Sequence, residues 1–250
     1  MNSYITCKMG MAKTKPNTYK DKIKCPFCDF EALEKEDRVV ERRGEMLLLR
    51  NKYPVFENTD AYVLVESNSC EEHFHTMGKE KLTNLVRFAI DSWESARSNP
   101  AYKSAILFKN YGPNSAGSIK HGHCQVICFK DNTSQELESI HTEGEEVSSF
   151  GEAKLILSKY PLNEGYEVYA IGDNIDEISV LAQAAAKYFA NDFPTKSYNL
   201  TFHTLNDKIV IRITPCIKHT PLFLGFRISQ VPSNLSDITK NLNLYLKNEK

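Results

Sequence analysis

The sequence predicts an α+β protein in two related parts, with mainly antiparallel sheets and helices packed on one face. Three observations lead there. The strand-like runs Ser104–Lys109 and His123–Phe129 are joined by a loop too short for a crossover helix, so they should pair antiparallel. Lys79–Ala96 carries helical periodicity, and two later stretches, one rich in Ala and Leu, also read as helices. A polar, acidic stretch from Asp131 to about Ser149 then breaks the apolar pattern, and marks a boundary between two halves.

Residues 1–22 are polar and Lys-rich around Pro16, without periodic apolar positions, and read as a flexible lead-in. Glu45–Arg50 (EMLLLR) reads as a short buried strand followed by a turn at Asn51-Lys52-Tyr53-Pro54, and Ala61–Glu66 (AYVLVE) as a second strand. Lys79–Ala96 is the clearest helix, because Leu82, Leu85, Phe88, Ala89 and Trp93 recur at helical spacing. Two strands follow, Ser104–Lys109 and His123–Phe129, around a loop of Gly, Ser and Asn. Beyond the acidic stretch, strands are expected near Ala153–Leu157, Glu167–Ile171, Tyr198–His203, Lys208–Thr214 and Leu222–Ile228. Helices are expected at Ile175–Phe189 and about Leu235–Lys247. The domains implied are 23–145 and 146–250, after the lead-in.

At 250 residues the chain is long enough to bury a sizeable core without disulfides. Its net charge of −1 offers no broad positive field, and no basic stripe interleaved with aromatics occurs, so nucleic acid is not an expected partner. No run approaches the ~20 apolar residues that span a bilayer, and the N-terminal residues lack the apolar centre of a secretory signal. The expectation is a cytoplasmic protein without a membrane partner. Seven cysteines cannot all pair internally, and in a reducing compartment closely spaced ones point to metal or reactive thiols.

The most informative stretch is Asn110–Gln125, NYGPNSAGSIKHGHCQ. His121, His123 and Gln125 alternate, so on extended backbone they project to one side. Gly112 and Gly117 leave room for a ligand to approach the backbone, and Asn114, Ser115 and Ser118 add polar groups. Free amides in such a loop make an anion-binding concavity. An H-x-H pair alone carries little weight; its coincidence with this loop suits metal binding, phosphate chemistry, or both.

Cys25-Pro26-Phe27-Cys28 has the spacing of half a tetrahedral zinc site. Cys70, His73, His75 and His121 are the candidates to complete it. With Cys70 and His121 the site would be Cys₃His, closed and therefore structural. Cys124 and Cys128 fall on the opposite strand face from His121 and read as buried thiols, and Cys7 and Cys216 have no evident partner.

At these residues the chain resembles the galactose-1-phosphate uridylyltransferases and their nucleotide-sugar phosphorylase relatives, a branch of the histidine-triad superfamily. FKNYGPNSAGSIKHGHCQ resembles their Asn-x-Gly loop leading into His-x-His-x-Gln, CPFC their first zinc pair, and NKYPVF their nucleotide-contacting segment. The likeness runs from about Tyr19 to Lys130, and is nearest to a bacterial subgroup whose substrate it does not name. It implies a histidine-triad-like fold and His123 as a nucleophile that becomes transiently nucleotidylated, with Gln125 bonding the phosphoryl oxygens. It implies phosphate-loop contacts around Asn110, Gly112, Ser115, Gly117 and Ser118, and nucleotide contacts at Asn51, Lys52 and Tyr53. It implies structural Zn²⁺ on Cys25, Cys28, Cys70 and His121, a nucleotide or nucleotide-sugar substrate, and a homodimer. The activity implied is nucleotidyl transfer or phosphorolysis. A histidine-triad hydrolase and a non-catalytic zinc-stapled nucleotide-binding module are the alternatives. Gly122 stands where the uridylyltransferases carry proline, and Gly117 is shifted by one from their usual loop glycine.

Overall fold

The structure, a computed structural model, describes residues 5–131 and 137–248. The chain divides into two compact units, Met1–Gln135 and Glu136–Lys250.

In the first unit the elements are α1 (Met9–Thr14), α2 (Phe30–Glu34), β1 (Val39–Arg43), β2 (Met46–Arg50), β3 (Thr59–Val65), α3 (Lys79–Ser98), β4 (Ser104–Tyr111) and β5 (His123–Phe129). Five strands form a sheet in the order β1-β2-β3-β5-β4, every pair antiparallel. Strand β1 carries Glu41, Arg42 and Arg43 along an exposed edge, where charged side chains deter further strand pairing. Its composition hides it from a search for apolar runs.

The two faces of this sheet are covered differently. Leu48, Tyr62 and Val126 lie on the face toward α3, and Trp93 of α3 donates its indole N–H to the Ala105 carbonyl at 2.8 Å. By alternation Cys124 and Cys128 share that face, and both are buried, as parity required. Helix α3 buries Leu82, Leu85, Val86, Phe88, Ala89, Ile90 and Trp93. Phe88 is wholly buried, with the Arg43 guanidinium 4.3 Å from its ring centre. Phe88→Ala is expected to cost about 3–5 kcal/mol, read as a lowered urea midpoint at unchanged slope.

On the opposite face, Leu47, Leu49, Val63 and Val65 pack with Phe27, Leu33 and Ile119. His123 lies opposite Val65 and Gln125 opposite Val63, so both belong to this face. The CPFC turn and α2 thus cover one end of it, and the His123 side chain joins that end.

Residues 5–20, expected as a lead-in, make specific contacts at both ends. Lys8 N–H donates to the Val55 carbonyl at 2.7 Å and Glu57 N–H to the Thr6 carbonyl at 3.0 Å. Farther on, Thr18 N–H donates to the Ser118 carbonyl at 2.7 Å and Lys120 N–H to the Thr18 hydroxyl at 2.8 Å. The segment therefore runs from the β2–β3 connection to the β4–β5 loop.

The second unit contains β6 (Gly144–Phe150), β7 (Ala153–Ser158), β8 (Val168–Gly172), α4 (Ile175–Asn191), β9 (Tyr198–Leu205), β10 (Lys208–Pro215), α5 (Pro221–Phe226) and α6 (Leu235–Asn248). Its antiparallel strands follow the order β9-β10-β8-β7-β6. Helix α4 buries its Ile178/Leu181/Ala182/Ala185/Phe189 stripe. Glu167 accepts from the amides of Leu162 and Asn163, from the Tyr169 hydroxyl and from Arg212, a fully occupied buried carboxylate that ties the 159–167 loop to the sheet.

The unit contains two departures from expectation. Strand β6 forms within the polar stretch taken as a boundary; it is an edge strand with only Val147 buried, so its composition is that of a linker. The run Leu222–Ile228, expected as a strand, is helix α5. Pro221 sits in its first turn, and Arg227 closes it in the left-handed region at φ 56°. Of its apolar residues only Phe223 is buried, while Leu222, Leu224 and Phe226 are exposed, so the hydrophobic run never signalled a two-faced strand.

Candidate functional site

The site forms where β3 ends and β5 begins. Cys25 and Cys28 lie on a tight turn in which Phe27 N–H points to the Cys25 sulfur at 3.5 Å and Cys28 N–H to the Cys25 carbonyl. Asp29 caps α2 immediately after, accepting from Ala32 N–H at 3.2 Å. Cys70 arrives on the loop leaving β3, and His121 on the residues entering β5.

The ligand atoms of Cys25, Cys28, Cys70 and His121 all lie within 4.8 Å of one another. His121 Nδ1 is 3.7 Å from the Cys25 sulfur and 3.6 Å from the Cys28 sulfur. Tetrahedral zinc, at about 2.3 Å from sulfur and about 2.0 Å from nitrogen, separates such atoms by about 3.5 Å. The other ring nitrogen, Nε2, is 2.9 Å from the Ser67 carbonyl, which can only accept. Nε2 therefore carries the proton, and Nδ1 presents its lone pair to the sulfurs, as a ligating imidazole must. Burial pushes the Cys70 thiol up to about 12, and the crowding by Cys28 and Cys25 adds to the rise. Three sulfurs this close ionise together only around a cation. The donor set fits a metal ion, and among the described residues it is the single group of three or more candidate ligands.

His73 and His75, the alternative ligands, are not in this group. Their rings stack at 5.7 Å and both meet the Tyr111 ring edge-on, so they form an aromatic cluster beside the site.

His123 is buried, and its Nδ1 is 2.8 Å from the His121 carbonyl. That carbonyl can only accept, so Nδ1 is protonated and Nε2 carries the lone pair. Burial pushes the imidazole down to about 4, against the His121 carbonyl bond that favours its charged form. It is neutral near pH 7. Phe27 lies edge-on to both His121 and His123, at 5.9 and 5.5 Å. One side chain from the knuckle therefore buttresses both histidines.

The β4–β5 loop is more self-sufficient than expected. Gly112 N–H donates to the Tyr19 hydroxyl at 3.1 Å, Ser115 N–H to the Gly112 carbonyl, and Gly117 N–H to the Ser115 hydroxyl at 3.2 Å. These three amides are spent on holding the loop, and so is the Asn110 side chain, which donates to the Ser115 carbonyl at 2.7 Å. The Ser115 hydroxyl in turn donates to the Gly112 carbonyl. In this structure Gly112, Ser115, Gly117 and the Asn110 side chain, expected as phosphate-loop contacts, bond within the loop and to Tyr19. The positive φ values are at Gly112 (87°) and Ala116 (64°), not at Gly117, whose role is close approach to Ser115 and Asn110. Ser118 differs from its neighbours: its hydroxyl is buried without a hydrogen-bond partner.

Asn51 closes a turn by accepting from Tyr53 N–H at 2.8 Å, and its own amide donates to Ala61. Lys52 is exposed and Tyr53 half-buried. Ala61 pairs with Ile127, four residues along β5 from His123, or ~13 Å at the rise of a strand. The Asn51 turn thus lies toward the far end of the face that carries His123 and Gln125.

Two residues of the site escaped the sequence reading. Lys15, half-buried, sits close enough that its charge opposes protonation of His123, and burial lowers its own affinity for a proton. Tyr19 holds Gly112. Both lie in the segment taken as a lead-in, and only the spacing of Lys15-Pro16 ahead of CPFC could have drawn attention to them. A separate cleft of about 760 Å³, between the β1–β2 turn and the start of α3, holds none of the predicted residues; its Arg43 and Lys81 are paired with carboxylates.

Residues 7–132 match the N-terminal domain, and residues 134–246 the C-terminal domain, of the family described as domain of unknown function DUF4931. The chain belongs to the DUF4931 family. A crystal structure of a DUF4931 protein from Bacillus cereus is 32% identical, covers 83% of this chain and 98% of its own, and superposes with a TM-score of 0.74. The DUF4931 chain also shares its fold with a uridylyltransferase, 13% identical over 91% of this chain and 93% of that one, TM-score 0.70. An ADP-glucose phosphorylase from Arabidopsis thaliana with bound ADP-glucose is likewise 13% identical, over 94% and 92%, TM-score 0.70. These two show the fold, which is the histidine-triad-like one of uridylyltransferases. A search of curated proteins finds no match to this DUF4931 sequence. No helix among the described residues is long and apolar enough to cross a membrane.

Proposed function

We propose that this protein is a nucleotidyltransferase or phosphorylase acting on a nucleoside diphosphate compound, through a covalent nucleotidyl-histidine on His123. The observation that carries the reading is the His123 ring: buried, neutral, with Nδ1–H fixed on the His121 carbonyl and Nε2 left as a lone pair. A buried structural histidine needs a partner for both nitrogens; a nucleophile needs one of them free. The fold shared with a uridylyltransferase and with an ADP-glucose phosphorylase, proteins that handle nucleotides, supports the substrate class.

In the first step Nε2 attacks the α-phosphorus. A P–N bond forms, the P–O bond to the leaving phosphate or sugar phosphate breaks, and that group departs with the electron pair. In the second step an oxygen of an acceptor phosphate attacks the same phosphorus, the P–N bond breaks, and neutral His123 is restored. The orphaned Ser118 hydroxyl, the Gln125 amide and the Lys15 ammonium are the groups we assign to charge on the non-bridging oxygens. Asn51, Lys52 and Tyr53 we assign to the nucleoside. Lys15→Met is expected to lower kcat/KM by ~10- to 100-fold, since it removes one charge-assisted contact to phosphate.

The metal we assign as Zn²⁺, held by Cys25, Cys28, Cys70 and His121. With four protein ligands it supplies structure: it fixes the strand that carries His123. Seven free cysteines suit this reading and a reducing cytoplasm.

Initial rates with a nucleotide sugar and a phosphate acceptor test the proposal. Parallel double-reciprocal lines are the expected result. Intersecting lines would contradict a covalent intermediate, and turnover equally fast without acceptor would make the protein a hydrolase.

A further inference from the structure

The residues that leave β3 grip those that enter β5. Glu66 N–H donates to the Gly122 carbonyl at 3.1 Å, and the Ser67 carbonyl accepts from His121 Nε2 at 2.9 Å. The Glu66 side chain is fully buried, and its Oε1 accepts from Lys109 at 2.6 Å and from the Cys124 thiol at 3.2 Å. Lys109, on β4, is itself only 1% exposed. Oε2 has no hydrogen-bond partner. It lies against Gly122: a Cβ added there would stand 2.7 Å from Oε2 and 3.1 Å from the Glu72 carbonyl.

A buried ion pair is costly to assemble and gives little net stability over apolar side chains of the same volume. A pair buried next to the His121-Gly122-His123 backbone points to a role other than stability. We infer that Glu66, anchored by Lys109, is a positioning residue: its carboxylate is the wall against which the His121-Gly122-His123 backbone is seated, which fixes the His121 carbonyl and through it the His123 ring. Lys109 holds the wall in place, and Gly122 is the residue that lets the backbone reach it. A shift of the His121 carbonyl would turn Nε2 away from the line of attack while leaving the other groups assigned to substrate in place. This inference rests on His123 being the reacting group.

Two double variants separate the wall from the charge. Lys109→Met with Glu66→Gln removes both charges and keeps the wall. Lys109→Met with Glu66→Ala removes both charges and the wall. Metal content should equal wild type in both. The first should keep kcat within about threefold; the second should lose on the order of 10²-fold in kcat with little change in KM, as expected when a reacting group is slightly misplaced. The His123 Nδ1–H proton resonance gives a readout that needs no turnover: it should be preserved in the Gln variant, and shifted or exchange-broadened in the Ala variant. Equal behaviour of the two variants, in rate and in resonance, would overturn the inference. A third variant guards against misfolding. Gly122→Ala should lower Tm more in the wild-type chain than in the Lys109→Met/Glu66→Ala background, where only the contact with the Glu72 carbonyl remains; the same penalty in both would contradict the wall. If no nucleotide substrate turns over, the resonance and the Gly122→Ala comparison still decide the positioning role, while the proposed chemistry alone fails.

Discussion

His123→Ala is expected to lower turnover by on the order of 10⁶-fold, the scale on which loss of a covalent nucleophile falls, while metal content and Tm stay near wild type. The two histidines of the pair are separated by their hydrogen bonds. His121 turns Nδ1 to the sulfurs and anchors Nε2 on Ser67, whereas His123 anchors Nδ1 on the His121 carbonyl and keeps Nε2. Ala at 123 removes the lone pair without touching the four side chains we assign to the metal. Metal analysis by mass spectrometry and steady-state rates check the prediction together. Loss of metal along with activity would show that the roles are not divided this way.

Replacing Cys28 with Ser is expected to have the largest effect on the fold. Metal content should fall from one ion per chain to near zero, and Tm should drop by about 10 °C or more, since structural zinc contributes several kcal/mol or more to folding. The physical reason lies in what the site joins. Cys25 and Cys28 bring the knuckle with Phe27, Cys70 fixes the loop after β3, and His121 fixes the entry to β5. Phe27 and Leu33 then complete the core over Leu47, Leu49, Val63 and Val65. Without the metal this cap loses its attachment, and the Phe27 edge leaves both histidines. A chelator should reproduce the effect on the wild-type chain. A Cys28→Ser protein with unchanged Tm and full metal content would contradict the assignment.

The parts of this molecule with strong periodicity were legible in the sequence. Helix α3 buries a stripe that recurs at the helical period, and strands β2 and β5, covered on both faces, stand out as short apolar runs. Strands β1 and β6 were not legible, because an edge strand exposes most of its side chains and its backbone pairing leaves no mark in composition. Helix α5 was misread because its exposed leucines imitate a strand, while the proline and the left-handed Arg227 that set its ends are single residues.

At the site the C-x₂-C turn and the H-x-H entry are local features legible from spacing, while Cys70 was singled out among Cys70, His73 and His75 only through the resemblance, and the structure groups it with Cys25, Cys28 and His121. What lay hidden were contacts between segments distant in sequence. Lys15 reaches the neighbourhood of His123 because the 5–20 segment is pinned at Val55 and at Ser118, and neither contact is written in that segment's own pattern. Glu66 reads as the end of a strand until its carboxylate is seen against Gly122. The loop amides read as free donors until Tyr19 and the Ser115 hydroxyl are seen to use them.

A covalent bond between His123 and a nucleotide is seen most directly by intact-protein mass spectrometry. The purified protein is incubated with a panel of nucleoside diphosphate sugars and dinucleotides, quenched without acid, and compared with His123→Ala. The expected result is a mass gain of one nucleoside monophosphate in wild type, mapped to the peptide carrying His123 and absent from the variant. Cleavage of a substrate at an equal rate by both proteins, or an adduct that survives the His123→Ala change, would contradict it.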